Sequence, residues 1–251
     1  MKLVLSCVVL LSLALPAAGT AQIPDRFTNL EVLPTDIARD DLIRRMRGFA
    51  IGLGVRCVHC HLGEDSPTLA GVDFASDERP AKRKAREMMR MMAESNARIA
   101  AIPELADGAL AVECVTCHRG LARPLSLPDT LSRVYAAQGV TATMATLDSL
   151  RERYFGRGTY DFGEASLNEV ASQLRVGGDP ASALVVLRRN QEDHPRSATI
   201  QYQMGLNHEA LGDIPAARRA YTRALELAPE HGPSAARLRE LGGLYPSDVS
   251  R

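Results

Sequence analysis

The sequence predicts an all-α chain, on three observations. Apolar residues recur at three- and four-residue intervals through two long N-terminal stretches and through the C-terminal half. Glycine and proline fall where such stretches would start or stop. A block of the C-terminal half then repeats itself at a constant offset of 34 residues. The 251 residues, 45% of them apolar, suffice for two ordinary domains. Thirty basic and thirty acidic residues cancel. No overall charge therefore draws the chain to nucleic acid or to anionic lipid, and docking has to use local patches.

In chain order, residues 1–21 read as a secretory signal: Lys2 is the charged start, Leu3 to Leu15 the apolar run, and Gly19 and Ala21 the small residues before the cut. The mature chain then starts near Gln22, in a periplasmic or exported protein, anchored to the membrane only if the signal is retained. No later stretch is long and apolar enough to span a bilayer. A segment with Pro24 and Pro34 leads to Asp40 as a helix cap, followed by Leu42, Met46, Phe49, Ala50 and Leu53 at helical spacing, with Gly54 ending the helix. A loop with Gly63, Pro67 and Gly71 precedes a second helix from Pro80, whose apolar stripe is Ala85, Met88, Met92 and Ile99, and Pro103 closes it. The segment from Leu121 to Pro128 reads as a boundary. The expected organisation is a first domain over 22–125, a helical connector over 126–160, and repeats with a capping helix over 161–245.

The cysteines set the chemistry. Removing Cys7 with the signal leaves four, in two pairs each followed at once by histidine: Cys57-Val58-His59-Cys60-His61 and Cys114-Val115-Thr116-Cys117-His118. Each is a haem attachment motif. Two thiols separated by two residues on a helical turn can both add to a porphyrin's vinyl groups, and the adjacent imidazole reaches the iron. The pattern predicts two haem c groups, held covalently through Cys57, Cys60, Cys114 and Cys117, with His61 and His118 on the irons. Two other readings use the same residues. Four thiolates and two imidazoles can bind zinc tetrahedrally, although structural zinc belongs mainly to reducing compartments. Short disulfides within each pair would be strained, and no thioredoxin-like strand pattern surrounds them.

A haem iron takes a sixth ligand or keeps an open site, and that choice separates electron carriers from oxygen or peroxide chemistry. His59 lies inside its own motif, and His194, His208 and His231 belong to the repeat region. Methionine is plentiful. Met46 stands on the apolar face of the helix before the first motif, and Met88 on that of the helix before the second, with Met92 its main competitor. Methionines on an apolar stripe commonly fill core gaps, but here a haem needs something on its distal side.

The run from Asn29 to Gly120 resembles half of the multihaem cytochrome subunit of photosynthetic reaction centres. The features that match are Met46 ahead of the first motif, the run from Ala85 to Met91, Asn96, and Val115-Thr116-Cys117-His118-Arg119-Gly120. The resemblance implies that Met46 and Met88 are axial ligands, in agreement with the helical-face argument. Two motifs occur here, whereas the family's photosynthetic members carry four haems. The later stretch resembles the tetratricopeptide family. Gly178-Asp179 recurs as Gly212-Asp213, Pro195 as Pro229, Ala183 as Ala217 and Leu187 as Tyr221, with Ala171 and Gly205 where two helices pack closely. It lacks that family's tryptophan and first-helix tyrosine.

The expectation is an exported dihaem c-type cytochrome, an electron-transfer protein rather than an enzyme, with redox partner proteins and a helical-repeat module for a protein partner. The alternatives are a peroxidase-like dihaem enzyme with one open iron and a zinc-binding repeat scaffold. Arg79, Lys82, Arg83, Lys84, Arg86 and Arg90 form a basic cluster that reads as a solvated face, or as a means of pairing with haem propionates or steering an acidic partner. Arg119, next to His118, is better placed for a propionate.

Overall fold

The computed structural model describes residues 23–24, 26–105, 108 and 110–242. The expected signal over 1–21, Cys7 and the end of the capping segment at Leu244 and Tyr245 lie outside the described residues. The fold is all-α: nine α-helices, two single 3-10 turns and no strand occur among the described residues. The chain divides between Gly120 and Leu121 into two compact units.

In the first unit, α1 runs Arg39–Leu53, α2 Pro80–Ala100 and α3 Cys114–His118. The expected cap at Asp40 is not found. The helix begins two residues earlier than that cap would place it, at Arg39, from an extended Ala38 whose side chain caps nothing, and Asp40 and Asp41 fall in the first turn. There a carboxylate is still favourable, because the unpaired N–H groups of the first turn carry partial positive charge. Gly54 does end α1, at φ 65° and ψ 34°, a left-handed conformation that glycine adopts without penalty. Pro80 opens α2, as its fixed φ and missing N–H allow. The unit is poor in apolar core. Leu42 is its one buried apolar side chain among the described residues, while the second unit buries eighteen.

The second unit starts with α4 (Leu127–Tyr154), capped by Ser126 and broken in the middle at Gly139, whose φ of 78° and ψ of −178° are not helical. Two helix pairs follow, α5 (Glu164–Val176) with α6 (Pro180–Asp193) and α7 (Ala198–Ala210) with α8 (Ile214–Leu227), and then α9 (Gly232–Glu240). Each pair packs internally, α4 packs on α5, α6 on α7 and α9 on α8. The 34-residue period is visible in the caps. Asp179 accepts a hydrogen bond from the Ser182 N–H at 2.9 Å and Asp213 from the Ala216 N–H at 3.0 Å, each just after a glycine at positive φ. Beneath the apolar core, Asn190 donates to the Glu164 carbonyl at 2.9 Å and to Asn168 Oδ1 at 3.0 Å, which ties α6 to α5 without an unpaired amide.

Ala171 is fully buried, and Gly205 occupies the equivalent place one period later. A Cβ on Gly205 would lie 2.3 Å from the Tyr221 ring. The counterpart of Tyr221 in the first pair is the smaller Leu187, so a larger residue on one helix goes with a smaller one on its neighbour. Gly205→Ala is expected to destabilise the protein by about 1–3 kcal/mol through overpacking. The double variant Gly205→Ala with Tyr221→Leu is expected to recover part of that loss in urea unfolding, and a double variant that is the simple sum of the two singles would refute the compensation.

Candidate functional site

The first cysteine pair follows directly from the end of α1. The Gly54 and Val55 N–H groups donate back to Ile51 and Ala50, turning the chain off the helix axis. Four residues on, Cys57–His59 forms a 3-10 turn, and the N–H groups of Cys60 and His61 both donate to the Cys57 carbonyl, at 3.2 and 3.0 Å. Both thiols and the imidazole are thus wound round one turn. The following loop folds back on it. Asp73 N–H donates to the Leu62 carbonyl at 2.7 Å, Gly63 lies against Val72 so closely that a Cβ would come within 2.9 Å of its Cα, and the Phe74 ring meets the His61 ring at 5.0 Å.

Burial pushes the His61 imidazole toward its neutral form, and the Lys82 charge adds to the effect. The Phe74 backbone approaches the ring and opposes the shift, yet Nδ1 is buried with no completed hydrogen bond. Burial likewise raises the Cys60 thiol, helped by Cys57 and opposed by Lys82. The imidazole therefore keeps a lone pair for a metal at neutral pH, and the thiol keeps its proton.

A buried polar knot fixes that loop to α2. Lys82 Nζ donates to the carbonyls of Phe74, Ala75 and Ser76 at 3.0, 2.8 and 2.9 Å and pairs with Asp77 at 3.1 Å. Arg86 pairs with Asp77 at 2.9 Å and Glu31 at 2.8 Å and donates to the Asn29 carbonyl at 3.2 Å. With Arg86 and Asn29 as hydrogen-bond donors and Lys82 beside it, the Asp77 carboxyl is held well below the usual carboxylate range. The basic cluster expected to be a solvated or docking face is therefore divided: Arg79, Arg83, Lys84 and Arg90 are exposed, while two of its members turn inward. Lys82 and Arg86 are buried, Arg83 donates to the Asp77 carbonyl, and Arg90 pairs with Glu87 and Glu31. The signal for this was the four-residue spacing of Lys82 and Arg86 just after Asp77, which puts both cations on the helix face toward the carboxylate.

The second pair lies on α3. Asn96, on the half-buried face of α2, donates to the Val112 carbonyl at 2.9 Å and accepts the Val112 N–H at 2.7 Å, fixing the strand of chain two residues ahead of Cys114. The Thr116 hydroxyl accepts the Glu113 N–H at 3.0 Å and starts the short helix. It ends at Arg119, left-handed at φ 47°, and Gly120, at φ 83°. The Gly120 N–H donates to the Gly52 carbonyl of α1 at 2.9 Å, and α1 packs on α3. Burial raises the Cys114 thiol as it does Cys60.

No disulfide joins Cys57, Cys60, Cys114 and Cys117. Cys57, Cys60 and His61 share one turn, and Cys114, Cys117 and His118 share another. Met46 is half-buried midway along α1. Met88 stands at the rim of the α2 face, 45% exposed, while Met92 is half-buried one turn before Asn96. Among the described residues no three or more of His, Cys, Asp and Glu are gathered to hold a metal ion. The residues fit a porphyrin better than a bare cation: each turn offers two thiols and one imidazole. Ile51, Val115, Met88, Met91, Ile102 and Leu110 leave large apolar side chains on the surface of the same unit.

Asn96→Ala would leave the Val112 N–H and carbonyl without their partners and is expected to cost about 1–3 kcal/mol. Porphyrin attachment at Cys114 and Cys117 should fall while that at Cys57 and Cys60 holds. Mass analysis of the two cysteine peptides reads the difference, and equal loss at both would count against a local clamp.

No described helix is long and apolar enough to cross a membrane. No curated protein and no solved structure matches the chain. The family model for the photosynthetic reaction centre cytochrome C subunit matches residues 9–153, which takes in both cysteine turns and α4. That match covers more than half of the 251 residues. It carries with it covalently held haem c, electron transfer and redox protein partners. The chain belongs to the photosynthetic reaction centre cytochrome C subunit family.

Proposed function

We propose that the protein is an exported dihaem cytochrome c that passes electrons between redox proteins without binding substrate at iron. One observation carries the reading: two thiol-thiol-imidazole turns lie in a unit whose described residues bury a single apolar side chain and leave six large ones exposed. A porphyrin held at each turn supplies the apolar surface that such a unit needs.

Haem c supplies a one-electron iron couple. Cys57 and Cys60 would hold one group and Cys114 and Cys117 the other, through thioether links for which each S–H would add across a vinyl double bond with no oxidant or leaving group. His61 and His118 would give imidazole nitrogen to the irons. Met46 and Met88 would give thioether sulfur, from helices that precede the turns they serve. Methionine opposite histidine raises a haem potential, which suits a carrier that accepts electrons readily. Residues 1–21 direct export, to a compartment where covalent haem attachment is completed. The pairs α5–α6 and α7–α8, at their 34-residue period, form a tetratricopeptide-like module, with α4 and α9 covering its ends and its surface open to a protein partner.

The test is ligation at the irons. Protein matured in a host that attaches haem c is expected to be low-spin at both irons when reduced and inert to carbon monoxide on rapid mixing. Met46→Ala should open one iron to carbon monoxide and Met88→Ala the other. Rapid binding to the unaltered protein would favour a peroxidase-like enzyme. A Met92→Ala protein that binds carbon monoxide, beside a Met88→Ala protein that does not, would move the second ligand one turn along α2.

A further inference from the structure

α1 does two things at two faces. Met46 and Gly52 are six residues apart, which places them about 120° apart around a helix. The Met46 face belongs to the first site. The other end of the helix is built against the second. A Cβ on Gly52 would lie 3.2 Å from Cys114 Cβ and 3.2 Å from the Val115 nitrogen, while the Gly52 carbonyl accepts the Gly120 N–H at 2.9 Å. A Cβ on Gly54 would lie 2.0 Å from the Gly120 carbonyl oxygen. Thus α3 is gripped at both ends, at Cys114 by Gly52 and just after His118 through Gly120. The contacts are between backbones, which cannot rotate out of the way as a flexible side chain can.

Ordinary helix punctuation does not account for this. A glycine that only caps a helix needs left-handed freedom, which asparagine also offers, but asparagine at 54 would still carry a Cβ into the Gly120 carbonyl. Gly52 lies within the helix at ordinary negative φ, where glycine is unfavourable relative to alanine by roughly 0.5–1 kcal/mol, so the contact is what calls for it. Gly48, one turn earlier, meets nothing within 4 Å and serves as the control.

We propose that Gly52 and Gly54 are positioning residues for the second attachment turn, holding Cys114 and the chain after His118 in register with the helix that feeds the first turn. The two cysteine turns are then one mechanical unit, and a displacement at the end of α1 alters ligation and potential at the second site. The inference rests on the dihaem reading and deepens it.

The experiment compares full-length holoprotein carrying Gly48→Ala, Gly52→Ala or Gly54→Asn. Mass analysis of the peptides containing Cys57 with Cys60 and Cys114 with Cys117 gives porphyrin at each turn, and potentiometric titration gives the two reduction potentials. Gly48→Ala is expected to match the unaltered protein. Gly54→Asn should lose porphyrin several-fold on the Cys114 peptide or, where attachment survives, shift one potential, with helix content retained. Gly52→Ala, the milder change, should shift the same potential with both porphyrins in place, and it decides the matter if Gly54→Asn does not fold. Two porphyrins and two unmoved potentials in Gly52→Ala would overturn the positioning role alone. An unaltered protein whose Cys114 peptide carries no porphyrin would overturn the dihaem reading, and this inference with it.

Discussion

The first unit has helices but almost no apolar interior of its own, and the rest of its architecture follows from that shortage. Leu42 is the one buried apolar side chain among its described residues, while Ile51, Met91 and Val115 face outward. Burial of apolar surface is the main favourable term in folding, so this part of the chain has to be held by other means until an apolar partner is present. Two devices do it. Backbone meets backbone where Gly52 and Gly54 touch α3 and Gly120. Charge meets carbonyl where Lys82 satisfies three backbone oxygens at once and Arg86 joins Glu31 to Asp77. Both devices act on backbone near the cysteines and, at Cys114, as far as its Cβ, which leaves the thiols and imidazoles for chemistry.

The second unit solves the opposite problem. Leu131, Val170, Leu187 and Ile200 are fully buried, and paired helices at a regular period supply a continuous interior. Some of the polar groups that enter it are tied to partners, as Asn190 is to Glu164 and Asn168, or Glu209 to Tyr221 and Arg237. The contrast between the described parts of the two units is a contrast in apolar burial: eighteen side chains in one and Leu42 in the other.

Much of this was legible in the sequence, because the strongest signals are local. Cys57 to His61 and Cys114 to His118 declare themselves by spacing alone. Gly54 and Pro80 mark helix ends through backbone restrictions that do not depend on surroundings, and the 34-residue recurrence points to repeated helix pairs. What could not be read required partners distant along the chain. Lys82 and Arg86 look like surface charges until the loop from Phe74 to Asp77 folds over them. Asn96 looks like an ordinary polar position until Val112 is brought beside it. Asp40 looked like a cap because its residue type favours one, yet Ala38 supplies the extended entry and the carboxylate is still useful within the first turn. The break at Gly139 inside α4 lacked a proline to announce it. Met88 reads as apolar stripe from spacing, and only the packed helix shows it at the rim.

The central claim is that two iron porphyrins complete the first unit. The most direct test is the intact mass of protein recovered from a host that secretes and matures c-type cytochromes, read with its absorbance after reduction in alkaline pyridine. The expected result is a chain cleaved near Gln22 and heavier than its polypeptide by two haem groups, with the pyridine spectrum of haem c at two per chain. A colourless protein at the bare polypeptide mass, with four free thiols, would contradict it.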